Sequence, residues 1–264
     1  MRGFGVLVLC VCLLATASAV AASVVGGPQQ GLSRLSPGAP ADPNKPPPTR
    51  PCPDPPCFEP SAGRTPAAFL NWVGDDVGSY WRKRLGAASL RWHAGREVVV
   101  RHGKTARSAC GGEITASMGP FYCAKDTPPA LFLPVDGLRG LVLRTPNWRH
   151  WKKKDFAFAY VVAHEWGHHL QNVLGILHKS HLKSIQIELQ ADCLAGVWSY
   201  STWARDLLEP GDIPKAVRLA RLAGDTPGTP KNDPTAHGTA AQRAGWFKRG
   251  YESGTAAKCV VPAP

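Results

Sequence analysis

Apolar positions along the chain change their period several times, and each change marks an element. Phe69, Val73, Val77, Tyr80, Trp81 and Leu85 recur at three- and four-residue steps, one face of a helix, so Ala67–Leu85 is predicted as an amphipathic helix. Glu97-Val98-Val99-Val100-Arg101 predicts a strand. Ala130-Leu131-Phe132-Leu133-Pro134-Val135 predicts another, and Pro134, which has no N–H to donate, puts it at a sheet edge. Asp155–Leu177 predicts a long helix with Asp155 as its N-cap, and His181–Leu208 predicts a second. Ile213–Ala223 and Thr239–Tyr251 predict shorter helices. Few strands among many helices give a helix-dominated α+β domain with a small strand layer, spanning residues 67–264.

Two stretches precede that pattern. In residues 1–22, Arg2 is followed by the apolar run Val6–Leu14 and then by small residues, with Ala17-Ser18-Ala19 and Ala19-Val20-Ala21 fitting a cleavage site. The segment is expected to direct export. The alternative is an uncleaved anchor over residues 4–22 that leaves the domain outside the membrane. Residues 23–66 hold 13 of the chain's 25 prolines. Proline fixes φ and removes a donor, so this stretch is expected to be a semi-rigid linker.

Composition narrows the classes. Of 264 residues, 44% are hydrophobic and 19% charged, enough to bury a core and too apolar for a wholly disordered chain. Only one apolar run approaches membrane-spanning length, which excludes a multi-span protein. The net charge is +12, a balance that suits acidic partners such as nucleic acid or an anionic cell surface, with a plain basic face on a soluble protein as the preferred reading. The basic residues are scattered, the longest run being Lys152-Lys153-Lys154, and no nucleic-acid motif is present. Export also changes the reading of the cysteines. Cys10 and Cys12 leave with the leader, and an even set remains: Cys52, Cys57, Cys110, Cys123, Cys193 and Cys259. Such a set suggests disulfides, and local spacing favours Cys52–Cys57 and Cys110–Cys123, leaving Cys193–Cys259.

The chemistry lies in the two long helices. His164-Glu165-Trp166-Gly167-His168 places two imidazoles at i and i+4 on one face, where both can reach one Zn²⁺. Glu165 points about 100° round the helix, so it stands beside the metal and can act as a general base. The run Phe156–Ala163 is apolar and carries these polar groups into the interior, where unpaired they would be costly. The second helix carries Glu188-Leu189-Gln190-Ala191-Asp192, with its two acids again at i and i+4. Glu188 is the expected third ligand, and Asp192 the expected acceptor for the outward N–H of a ligand histidine. Gln171 and Leu174 stand where a metzincin would need Gly and His. His169 points elsewhere on the helix, His178 and His181 lie in the connection between helices, and His93, His102 and His150 show no ligand spacing.

Ala163-His164-Glu165-Trp166-Gly167-His168-His169-Leu170-Gln171, with Glu188 to Trp198 downstream, resembles the neutral zinc metallopeptidase family of bacteria. Cys110-Gly111 through Met118-Gly119-Pro120-Phe121-Tyr122-Cys123 agrees with it, as does His237-Gly238-Thr239 through Gln242-Arg243 to Trp246-Phe247. The resemblance implies a zincin-like fold, one catalytic zinc on His164, His168 and Glu188, and Glu165 as base. After Cys123 the chain departs from the family, carrying Thr127-Pro128-Pro129 where an aromatic-x-Asp strand is usual.

The expected reaction is hydrolysis of a peptide or protein substrate, which needs a donor for the developing oxyanion besides the metal. His237 is the candidate, because a Cys193–Cys259 link would bring its segment near the zinc helices; Tyr160 is the alternative. Two other classes stay open: a zinc-containing module that binds without catalysis, and an amide hydrolase directed at the cell wall.

Overall fold

The computed structural model describes residues 27–35, 65–145, 147–179 and 181–262. Residues 1–26 and the Cys52–Cys57 pair lie outside the described residues. Within the predicted linker, Gln30–Arg34 forms a short helix, α1, with Leu32 and Leu35 buried. This part of the stretch docks on the domain because it carries leucines in place of prolines.

The domain begins with α2, Pro66–Ala87. The Thr65 hydroxyl accepts from the Ala68 N–H, and Pro66 occupies the first turn, where its missing donor costs nothing. Its apolar stripe, Phe69, Leu70, Val73, Val77, Trp81 and Leu85, is buried. Five strands follow: β1 Arg96–Val100, β2 Thr105–Ser108, β3 Gly112–Thr115, β4 Phe121–Cys123 and β5 Ala130–Pro134. β2 and β3 form a hairpin. The other three make a sheet in the order β1-β5-β4, with β1 parallel and β4 antiparallel to β5.

β5 is therefore central, with all five residues buried, and the edge position expected from Pro134 is wrong. The reason is local. β4 pairs only with Ala130–Phe132, so the missing N–H of Pro134 falls beyond that ladder, and Pro134 ends the strand and opens helix α3, Val135–Leu143. The Cys110–Cys123 disulfide ties the hairpin to β4.

Helix α4, Asp155–Val173, crosses beneath this sheet and is followed by α5, Ile176–Lys179, and α6, Ser184–Ala204. α4 stops short of the predicted Leu177 because Gly175 takes a left-handed φ of +75°. Asp155 is its first helical residue and not its cap, which is Lys154. Its carboxylate is buried and accepts from the Phe156 N–H at 2.7 Å. α6 is buried on all sides from Leu189 to Trp203, which makes it the central helix.

α7, Asp212–Leu222, and α8, Ala240–Ser253, close the fold. α8 packs on α6 backbone to backbone. A methyl added at Gly196 would lie 2.1 Å from the Phe247 carbonyl oxygen, and one at Gly250 would lie 1.9 Å from that of Cys193. The Cys193–Cys259 disulfide fixes the chain after α8 onto α6. The result is a helix-dominated α+β fold, as the apolar periodicity implied. Among the described residues, no helix is long and apolar enough to cross a membrane.

Candidate metal centre

α4 and α6 lie side by side, and each contributes an i, i+4 pair to the contact. His164 and His168 project from α4 with ring centroids 4.8 Å apart and planes at 86°. Glu188 projects from α6 between them. Its Oε2 is 3.2 Å from His164 Nε2 and its Oε1 is 3.3 Å from His168 Nε2. One ligand atom from each of the three residues falls within 4.8 Å of the others.

The hydrogen bonds behind the rings decide what can sit between them. His164 Nδ1 is 2.9 Å from Asp192 Oδ1, and His168 Nδ1 is 2.8 Å from Gln171 Oε1. A carboxylate only accepts. The Gln171 amide nitrogen is already spent on the Ile187 carbonyl at 2.8 Å and Gln190 Oε1 at 3.0 Å, so its oxygen must face His168. Both Nδ1 atoms therefore donate, and both Nε2 atoms face the Glu188 carboxylate. With both rings neutral, two lone pairs meet a carboxylate, an arrangement that a cation resolves; Arg243 Nη2 reaches the same cluster, 3.4 Å from His164 Nε2 and 3.6 Å from Glu188 Oε2. Two imidazoles and one carboxylate with room for a further ligand are the donor set of a catalytic zinc, so the residues present fit that ion.

The same demand for positive charge shows in the electrostatics, where a proton takes the cation's place. Burial opposes a charge on His164, but the Asp192 and Glu188 carboxylates outweigh it and push its pKa up to about 10. Burial likewise opposes the charge on Glu188, yet the two histidines hold its carboxyl well below the usual range. The pocket is thus built to hold positive charge against buried carboxylates.

Asp192 is fully buried and takes four hydrogen bonds. It accepts from His164, from the Tyr160 hydroxyl at 2.5 Å, and from Arg243 Nε at 2.8 Å and Nη2 at 3.0 Å. Arg243 comes from α8, is only 3% exposed, and also donates to the Ala223 carbonyl. Burial raises the Asp192 carboxyl, but Arg243 and His164 outweigh it and the net shift is downward. Asp192 is therefore held as a carboxylate behind His164, the role the sequence assigned to it.

Arg243 and Gln171 fall within the motifs quoted from the sequence, but neither was given a role there. Arg243 lies one position before Ala244 and four before Phe247, both buried, so a signal existed: a guanidinium on the apolar stripe of a helix needs a buried carboxylate. Gln171 follows His168 by three, within reach of the ring's outward nitrogen.

A cleft of about 420 Å³ opens in front of the three ligand candidates. Glu165 lines it, and among the described residues its carboxylate makes no hydrogen bond or ion pair. Burial raises its pKa against the pull of His164 and His168. Phe121 and Tyr122 of β4 form one wall, and Leu177 and Leu219 also line the cleft. His237 lines it too, with its side chain half exposed and its ring 3.6 Å from Asp225 Oδ1. Asp225 also accepts the His237 and Gly238 N–H groups. Tyr160 lies at the buried end, its hydroxyl committed to Asp192.

The remaining histidines stand apart, as the spacing implied. His169 faces away from the cleft, bonded to the His93 carbonyl and the Tyr122 hydroxyl, and burial lowers its pKa to about 4. A second acidic cluster, Asp155, Glu209 and Asp212, already holds a cation of the chain's own, because Lys215 Nζ lies 2.8 Å from Asp212 Oδ1.

Relatives share this chain's sequence over much of its length. It is 37% identical to the uncharacterized protein YpfJ of Escherichia coli K12 over 186 residues, which is 62% of this chain and 60% of YpfJ. It is also 37% identical to the uncharacterized protein Rv2575 of Mycobacterium tuberculosis over 166 residues, 54% of this chain and 55% of that one. The matched region thus spans little more than half the length of these relatives. No solved structure matches. The family model described as "Putative neutral zinc metallopeptidase" matches residues 57–261, and the chain belongs to that family.

Proposed function

We propose that the chain is an exported metallopeptidase of zincin-like build, holding one zinc ion on His164, His168 and Glu188 and hydrolysing peptide bonds. The observation that carries this reading is the convergence of two imidazole Nε2 atoms on the Glu188 carboxylate, beside Glu165, whose carboxylate makes no hydrogen bond or ion pair among the described residues. When bound, zinc supplies Lewis acidity: it eases deprotonation of a water and polarises a carbonyl.

The chain's own groups do the rest. Glu165 accepts the water's proton at its carboxylate and returns it to the departing amide nitrogen. β4 is the free edge of the sheet beside the cleft, so an extended substrate backbone can pair with it. His237, held at its backbone by Asp225, is the donor for the oxyanion. Tyr160 suits that role less, because its proton is given to Asp192. The two disulfides fit export to an oxidising compartment.

The test is hydrolysis of casein by the purified chain, before and after removal of metal by a chelator and again with zinc restored. Activity that disappears and returns supports the proposal. Zinc binding without cleavage of any protein would favour the binding module, and cleavage of purified cell wall but not casein would favour the amide hydrolase. In the same assay His237→Ala should lower kcat by about 10²-fold, the scale of losing one oxyanion donor.

A further inference from the structure

The hydrogen bond that orients His168 does not end at Gln171. Gln171 Nε2 donates to Gln190 Oε1 at 3.0 Å. Gln190 Nε2 in turn donates to the Cys259 carbonyl at 3.0 Å and to Gln29 Oε1 at 2.9 Å. Gln29 then pairs with the C-terminal segment in both directions, its Nε2 donating to the Val261 carbonyl at 3.0 Å and its Oε1 accepting the Val261 N–H at 2.9 Å. Each amide has one permitted orientation, since reversing any of them would set oxygen against oxygen and nitrogen against nitrogen along the line. Gln171 and Gln190 are fully buried, so these bonds face little competition from water.

Gln29 sits at the start of α1, 161 residues before Gln190 in sequence. Its carbonyl accepts the Leu32 N–H, but its side chain makes no capping bond to the helix. Leu32 and Leu35 anchor its segment in the core, and the chain it pairs with is held by the Cys193–Cys259 bond. The segment ahead of the domain is thus joined to a ligand candidate of the cleft by three amides in series.

We infer that Gln29, Gln190 and Gln171 form a positioning relay in which the docked segment before the domain fixes the ring orientation and Nδ1–H tautomer of His168, and so tightens the metal site. The inference rests on the metal-centre reading above. None of the three side chains touches substrate, and they act through His168 alone. Partners of a ligand histidine are worth about 10–100-fold in metal affinity. Gln171→Met should therefore weaken zinc binding within that range. Gln29→Met, two amides further out, should weaken it by a smaller factor, about 3–10-fold.

The experiment measures zinc affinity of the full chain by competition with a chromophoric chelator, for the parent, Gln29→Met, Gln171→Met and the double variant. The double variant should bind zinc no more weakly than Gln171→Met alone, because without the Gln171 amide the outer two cannot reach His168. Gln29→Asn, which keeps the amide but withdraws it by one methylene, carries the same expectation as Gln29→Met. Parent-like affinity in the Gln29 variants, or losses that multiply independently in the double variant, would overturn the relay. A second readout needs no zinc: nitrogen-15 NMR of the His168 ring in metal-free chain. The parent should show an Nδ1–H hydrogen-bonded to Gln171, and Gln29→Met should perturb that resonance. An unperturbed ring sinks the relay, whereas a parent that binds no zinc but shows the perturbation sinks the metal reading instead.

Discussion

Glu165→Gln should leave a folded protein that binds zinc as the parent does and turns over peptide about 10²–10⁴-fold more slowly, the usual loss when a positioned base is removed. The expectation follows from position. Glu165 is next to His164 in sequence but about 100° away round α4, so it lines the cleft without belonging to the converging set of His164, His168 and Glu188. Glutamine keeps the shape and a hydrogen-bonding group but cannot take the proton. Metal analysis and steady-state kinetics on the same preparation check both halves. Parent-like turnover would mean that another group activates the water.

Arg243→Met should destabilise the fold by roughly 3–5 kcal/mol, the cost of leaving a buried partner charge uncompensated. Asp192 has no exposure to water and receives two of its hydrogen bonds from Arg243. Without the guanidinium it keeps only the His164 and Tyr160 hydrogens. Lysine is no substitute, since a single ammonium cannot reproduce the paired Nε and Nη2 contacts and also reach the Ala223 carbonyl. Urea unfolding of the metal-free chain should show an earlier midpoint with an unchanged slope. A stability within a few tenths of a kcal/mol of the parent would mean that Asp192 is solvated or neutral, and that the account of how His164 is oriented is wrong.

The parts of the molecule that were legible in sequence are those whose signal is local. An i, i+4 pair on each of two helices defines one face of each, so His164, His168, Glu188 and Asp192 could be assigned before any coordinates, and the structure brings all four together. His237 was placed in the cleft by a longer argument, through the Cys193–Cys259 link, and it does line it. Pro134 misled because its lost donor was weighed against a whole sheet, when β4 ends two residues earlier. β2, β3, β4 and α3 were missed, being three to nine residues long and too short for a period to show. The helix at Gln30–Arg34 was hidden by the prolines around it. Arg243 was hidden by its charge: a polar letter in a helix reads as a solvent face unless its apolar neighbours are counted with it.

The central claim is that one zinc ion is held by His164, His168 and Glu188. X-ray absorption at the zinc edge, on chain loaded with a single equivalent of metal, tests it most directly when run beside His168→Ala. The account predicts a shell of nitrogen and oxygen only, at about 2.0–2.2 Å, containing two imidazoles in the parent, and loss of most bound zinc in the variant. A shell containing sulfur, or stoichiometric zinc retained by His168→Ala, would contradict it.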